Sequence, residues 1–114
     1  MIHSKDNLEH YIWGDHCDSW VLKNSQGLSV KQEKMPAGAS EKLHFHQIAE
    51  QLFYILKGEA VLYINDEKFV VRQGESISIV PGAKHFICNE SAEDVEFLVI
   101  SSPSANNDRI EIKK

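Results

Sequence analysis

The stretch "LHFHQIAEQLFYILKG", residues 43–58, decides how the chain is read. His44 and His46 flank Phe45. On a β-strand a spacing of two puts both imidazoles on one face, with Cα atoms about 7 Å apart, and turns Phe45 to the other. Further along, Glu50 and Gln51 stand side by side and open a run rich in aromatic and aliphatic residues, which reads as a second strand. Its period of two places Gln51, Phe53 and Ile55 on one face and Glu50, Leu52 and Tyr54 on the other. Either Glu50 or Gln51 can look toward the histidines, but not both.

Outward from this stretch the pattern is strand, turn, strand. "LSVKQEKM" alternates and precedes the turn "PAGAS"; "EAVLYI" and "KFVVR" flank "NDE", a hairpin turn. "GESISIV", "HFICN" and "VEFLVIS" are further strands, separated by "PGAK" and "ESAED". Residues 6–12, "DNLEHYI", fit a short helical turn, with Trp13 and Trp20 as large apolar anchors nearby. The tail 103–114 is polar and is expected to lie on the surface or fray. No repeat and no long amphipathic helix is visible. Eight or so short strands with frequent turns point to an all-β sandwich or barrel.

The 114 residues suit one domain, 1–114, with 42% hydrophobic and 25% charged residues, a globular composition. A net charge of −5 without a basic stripe, Lys113 and Lys114 apart, argues against nucleic acid as a partner. Apolar runs such as "FLVI" are too short to span a bilayer, and the N-terminal residues do not read as a secretory signal. Cys17 and Cys88, 71 positions apart, form no CxxC pair and read as reduced thiols, which places the protein in the cytoplasm.

Gly38 precedes His44 by five intervening residues, and Gly58 follows Gln51 by six. Downstream, Gly74, Gly82, His85 and Asn89 recur in "GESISIVPGAKHFICN". Together these residues resemble the two motifs of the cupin superfamily, and the 15 residues between them match its small single-domain members. The chain departs from the pattern at Val80, where the second motif has proline (Pro81 follows one place later), and at the acidic position of the first motif. Counting back from Gly58 puts Gln51 there and turns Glu50 outward. Glu50 replaces it only if a local bulge shifts the strand.

The resemblance implies a double-sheet β-barrel or jelly roll. It also implies a divalent metal held by His44, His46, Gln51 and His85, with positions left for water or ligand. Three imidazoles and an amide oxygen suit Fe, Mn, Ni, Co, Zn or Cu. An amide in place of a carboxylate leaves the full charge of the ion, which favours a small anionic or carbonyl-bearing ligand. Isomerisation, hydration or hydrolysis, and dioxygenation all remain open. The motif strands offer no clear general base, so the catalytic residues are unassigned and a metal-bound water or hydroxide is expected to serve. The alternative is a non-catalytic small-molecule binder, a sensor or store. Small cupins of this kind imply a homodimer, with segment 1–20 in the contact. Trp20, Met35, Phe53, Tyr63, Phe86 and Phe97 are candidates for pocket lining or core, and Asn89 for holding the turn that follows it. His3, His10 and His16, outside the motifs, are surface or packing residues.

Overall fold

The computed structural model describes residues 2–105 and 108–112. Its eleven strands are β1 (Glu9–Trp13), β2 (Cys17–Asn24), β3 (Ser29–Met35), β4 (His44–His46), β5 (Glu50–Lys57), β6 (Glu59–Ile64), β7 (Glu67–Arg72), β8 (Ser76–Ile79), β9 (His85–Cys88), β10 (Val95–Ser102) and β11 (Arg109–Glu111). They form two antiparallel sheets, β1-β2-β3-β10-β5-β8 and β11-β4-β9-β6-β7, that close face to face into a barrel. The all-β barrel expected from the sequence is therefore the observed fold.

The turns follow from their residues. Asn65 and Asp66 take positive φ, 49° and 70°, and make the two-residue loop that matches strand twist between β6 and β7. Gly58, at φ +85°, brings its backbone so close to the neighbouring chain that a Cβ would lie 2.8 Å from Asp94 O. Only glycine fits there, so this residue pins where β5 ends and β6 begins. Asn89 accepts from Ser91 N and Oγ at 3.0 and 2.7 Å and donates to Met35 O and Glu93 O, which fixes the turn before β10.

Two segments differ from expectation. In the N-terminal segment a turn exists at Ser4–Leu8, where Asn7 N and Leu8 N both donate to Ser4 O at 3.1 Å. The residues after it extend as β1 against β2, with Tyr11 opposite Ser19, because pairing with a ready sheet edge outweighs the helical propensity of so short a run. In the tail, residues 109–111 are neither frayed nor merely surface-lying: they pair with β4, Arg109 opposite His46. Met1, Asn106, Asn107, Lys113 and Lys114 of the two terminal segments lie outside the described residues.

Register lines the interior of the larger sheet in rows. Ser29, Ser101 and Gln51 face one another across β3, β10 and β5; next come Lys31, Val99 and Phe53; then Glu33, Phe97 and Ile55; last Met35 and Val95. The barrel thus has an apolar end, where Met35, Ile55, Leu62, Ile87, Val95 and Phe97 are fully buried, and a polar end. Burial of those six side chains is the main stabilising contribution, about 1.5–3 kcal/mol each. The polar end is where the two sheets leave a cavity of about 780 Å³.

Candidate metal centre

β4 and β9 pair with His44 directly opposite His85, so the smaller sheet brings the two histidine motifs together. His46 lies one pleat further along the same face of β4. All three are buried, at 2, 5 and 1% exposure for His44, His46 and His85. Their ligating nitrogens lie within 4.8 Å of one another, the scale of a shared coordination sphere. Gln51 reaches the cluster from the opposite sheet: it is buried, whereas Glu50 is exposed. No bulge displaces the start of β5, since Ser101 faces Gln51 and Ser102 faces Glu50 in unbroken register. β5 thus turns Gln51 inward and Glu50 outward.

Hydrogen bonding fixes what these groups offer. His44 Nδ1 lies 2.8 Å from Lys42 O, and His85 Nδ1 lies 2.9 Å from Ala83 O. A carbonyl only accepts, so each Nδ1 carries the proton and each Nε2 presents a bare lone pair. Gln51 Nε2 donates to Ser101 Oγ at 2.9 Å, which turns its Oε1 toward His85 Nε2, 3.1 Å away. Burial pulls all three imidazoles down to about 4, so they are neutral at pH 7. Gln51 and His85 Nε2 thus meet at hydrogen-bond distance, a contact satisfied either by a cation between Oε1 and Nε2 or by a turned amide that accepts from the Ser101 hydroxyl and donates to His85. Three imidazoles plus one amide oxygen are a donor set that fits a divalent transition metal.

Four carboxyls that sequence reading left unassigned line the cavity, Asp15, Glu33, Glu41 and Glu111, and the first and last of these are exposed. Glu41 Oε2 pairs with Arg109 Nη1 at 3.2 Å, while its Oε1 accepts from Ile87 N at 3.2 Å and stands 3.9 Å from His44 Nδ1. Burial pushes the Glu41 carboxyl up; Arg109 opposes that shift. Glu33, 8% exposed, forms no direct ion pair among the described residues, and burial pushes it up to about 7 against the weaker pull of Lys31 and Arg109. Ser19, its cross-strand neighbour, pulls it down most, but not enough to offset burial. The signal for Glu33 was in "LSVKQEKM". The strand's inward face carries Ser29, Lys31 and Glu33, and a polar inward face marks a cavity. With Leu28 and Val30 on one parity and Met35 on the other, the direction of that face was undecided.

Of the six side chains proposed for lining or core, Phe53 lines the cavity, while Met35 and Phe97 lie in the core. Trp20 points away, 5.0 Å from the His10 ring and beneath Lys5 Nζ; Tyr63 and Phe86 stack at 4.9 Å on the outer face of the smaller sheet. Tyr11 and Trp13 line the cavity instead. Cys17 and Cys88 are both free and buried.

The cupin domain model matches residues 31–101. The chain is 32% identical over 84 residues to the uncharacterized protein MJ1618 of Methanocaldococcus jannaschii, covering 74% of this chain and 67% of that one. It is 34% identical over 67 residues to the oxalate-binding protein of Thermotoga maritima, covering 59% and 55%. The fold superposes on the polyketide cyclase RemF of Streptomyces resistomycificus with a TM-score of 0.85 at 18% identity, over 100% of this chain and 86% of that one. With its two histidine motifs paired across β4 and β9 and a family match over more than half its length, the chain belongs to the cupin family.

Proposed function

We propose that this cupin binds a divalent transition metal through His44, His46, His85 and Gln51 and acts on a small anionic or carbonyl-bearing metabolite in the cavity above it. The observation that carries the metal is the cluster of three buried, neutral imidazoles whose ligating nitrogens lie within 4.8 Å of one another, with the Gln51 amide 3.1 Å from His85 Nε2. A bound metal would supply Lewis acidity and an anchor for ligand oxygens. The chain's own groups supply the rest. Arg109 and Lys31 at the cavity wall are placed to hold an anion, Phe53 and Trp13 exclude water from one side, and Glu33 is a buried carboxyl able to give or take a proton near neutrality. Glu33 thus answers the lack of a base in the motif strands. Isomerase, hydrolase and dioxygenase chemistry all fit this arrangement.

Metal analysis of untagged protein reconstituted in turn with iron, manganese, nickel and zinc tests the site. Stoichiometric uptake that His46→Ala abolishes is expected; no uptake of any of them sinks the assignment. The second reading, a binder without turnover, is favoured by the likeness to an oxalate-binding protein. Tight binding across a panel of small carboxylates and carbonyl compounds, with none converted by the loaded protein, selects it.

Two coarser features belong to the same reading. β1 is a free sheet edge, and Ile2 and Ile12 beside it are 90% and 65% exposed, which fits a homodimer through segment 1–20. Sedimentation equilibrium checks this, with a monomer as the refuting result. Among the described residues no helix is long and apolar enough to cross a membrane, and two free buried thiols accord with a cytoplasmic location.

A further inference from the structure

The turn 47–49 joins the two ligand-bearing strands, β4 with His46 and β5 with Gln51. Its three consecutive backbone N–H groups all donate to one carboxylate from the C-terminal tail. Gln47 N reaches Asp108 Oδ1 at 3.1 Å, and Ile48 N and Ala49 N reach Asp108 Oδ2 at 2.9 Å each. The residues after Asp108 hold the same region: β11 pairs with β4, and Ile112 N donates to Leu43 O at 3.0 Å.

His46 is the histidine that needs such support. His44 and His85 are each oriented by an Nδ1–H bond to a carbonyl two residues back. His46 Nδ1 is buried with no hydrogen bond of good geometry among the described residues, and its nearest polar neighbour is Asp108 itself, so no carbonyl two residues back orients this ring as in the other two. Its orientation is inherited from its backbone, which Gly82 N holds from one side at 2.7 Å and the 47–49 turn from the other.

We infer that Asp108 is a positioning residue for the metal centre, clamping the 47–49 turn so that His46 and Gln51 meet the other two histidines. This rests on the proposed metal site, and it brings the polar tail into the function. Loss of an outer-shell partner typically lowers metal affinity about 10–100-fold.

The test uses Co²⁺ as the probe with the full chain. Asp108→Asn keeps the size of the side chain but cannot accept from all three N–H groups with carboxylate strength. Co²⁺ affinity is expected to fall at least about tenfold. The Co²⁺ d–d absorption should change shape and the far-ultraviolet circular dichroism should not, with Asp108→Glu restoring part of the affinity. Affinity within about twofold of wild type, in a folded Asp108→Asn protein, overturns the clamp while leaving the metal site standing; no Co²⁺ binding by the wild type overturns both. Hydrogen exchange of the wild-type metal-free chain gives a check independent of variant folding. The amides of Gln47, Ile48 and Ala49 should be protected although Gln47 and Ile48 are exposed, and unprotected amides at all three positions also overturn it.

Discussion

Replacing Glu33 by glutamine should stabilise the protein increasingly as pH rises above 4.5, and fully above about 7. Glu33 sits in the row with Phe97 and Ile55, and burial pushes its carboxyl from 4.5 up to about 7 although Lys31 and Arg109 pull it down. An acid raised in this way binds an extra proton in the folded state between those two values. Below pH 4.5 both states are protonated and the group costs nothing. As pH rises toward 7 the unfolded chain ionises freely while the folded one resists, and above 7 the full penalty applies. A shift of two and a half units corresponds to about 3 kcal/mol. That is a substantial share of the 5–15 kcal/mol typical of a domain. Glutamine has nearly the same shape and no charge to bury. Urea unfolding at pH 4.5 and pH 8.5 measures the difference directly. Wild type and Glu33→Gln should be close at the lower pH and separate by about 3 kcal/mol at the higher one, with the variant more stable. An equal difference at both pH values would refute the reasoning, because it would mean that Glu33 ionises in the folded protein as easily as in water. A costly carboxyl kept in a ligand cavity is the usual mark of a group retained for function, so the same variant should lose any activity while gaining stability.

Gln51→Ala should cut metal affinity markedly while Glu50→Ala leaves it unchanged, measured by titration with Co²⁺ or Zn²⁺; the opposite order would mean that the inward face of β5 is wrongly identified. The chelated protein should lose stability in acid. The three histidines are held down to about 4 against 6.5 when unfolded, so the unfolded chain takes protons first. Stability is intact above pH 6.5, falls through the interval and is fully reduced below 4, by about 3 kcal/mol for a single ring and by more for the trio. A melting temperature that does not change between pH 7 and 4 in chelator contradicts this. Gly58→Ala should destabilise by about 2–4 kcal/mol in denaturant, since it adds a Cβ against Asp94 O at positive φ; a neutral outcome would show that the β5–β6 junction can move.

Most of the barrel was legible because strand alternation and turn chemistry are local. "EAVLYI" is β6 residue for residue, and "NDE" is its hairpin. The decision between Glu50 and Gln51 was also local once Gly58 anchored the count, because the reason for that glycine is a close backbone approach that no other residue tolerates. What escaped was non-local. "RIE" at 109–111 has the look of a polar tail, and becomes a strand only because β4 offers it an edge. Glu41 lies in a loop five positions before His46 and looks solvated in sequence. Its burial follows from Arg109, a residue 68 positions away that covers it. The helical turn expected over residues 6–12 stops at Leu8 for the same reason, since β2 supplies the residues from Glu9 on with a partner that local propensity does not register.

Charge in the cavity shows why the identity of residue 51 matters beyond the count of ligands. The wall carries Asp15, Glu41 and Glu111 against Lys31, Lys42 and Arg109, three acids facing three bases. The three histidines are neutral at pH 7, and Glu33, raised to about 7, is partly ionised there. The formal charges of the wall therefore nearly balance at neutral pH. With the proposed metal bound, its charge would be the main source of a strong preference for an anion, and residue 51 would set how much of that charge reaches the ligand. A glutamate there would cancel one of two positive charges; glutamine cancels none. An amide would bind the proposed cation less strongly than a carboxylate, and the hydrogen bond to Ser101 on one side and the Asp108-bonded turn on the other would offset part of that loss. A weaker ligand in a firmer frame, beneath a wall whose charges nearly balance, would direct the electrostatics of such a site toward the bound molecule rather than toward retention of the metal.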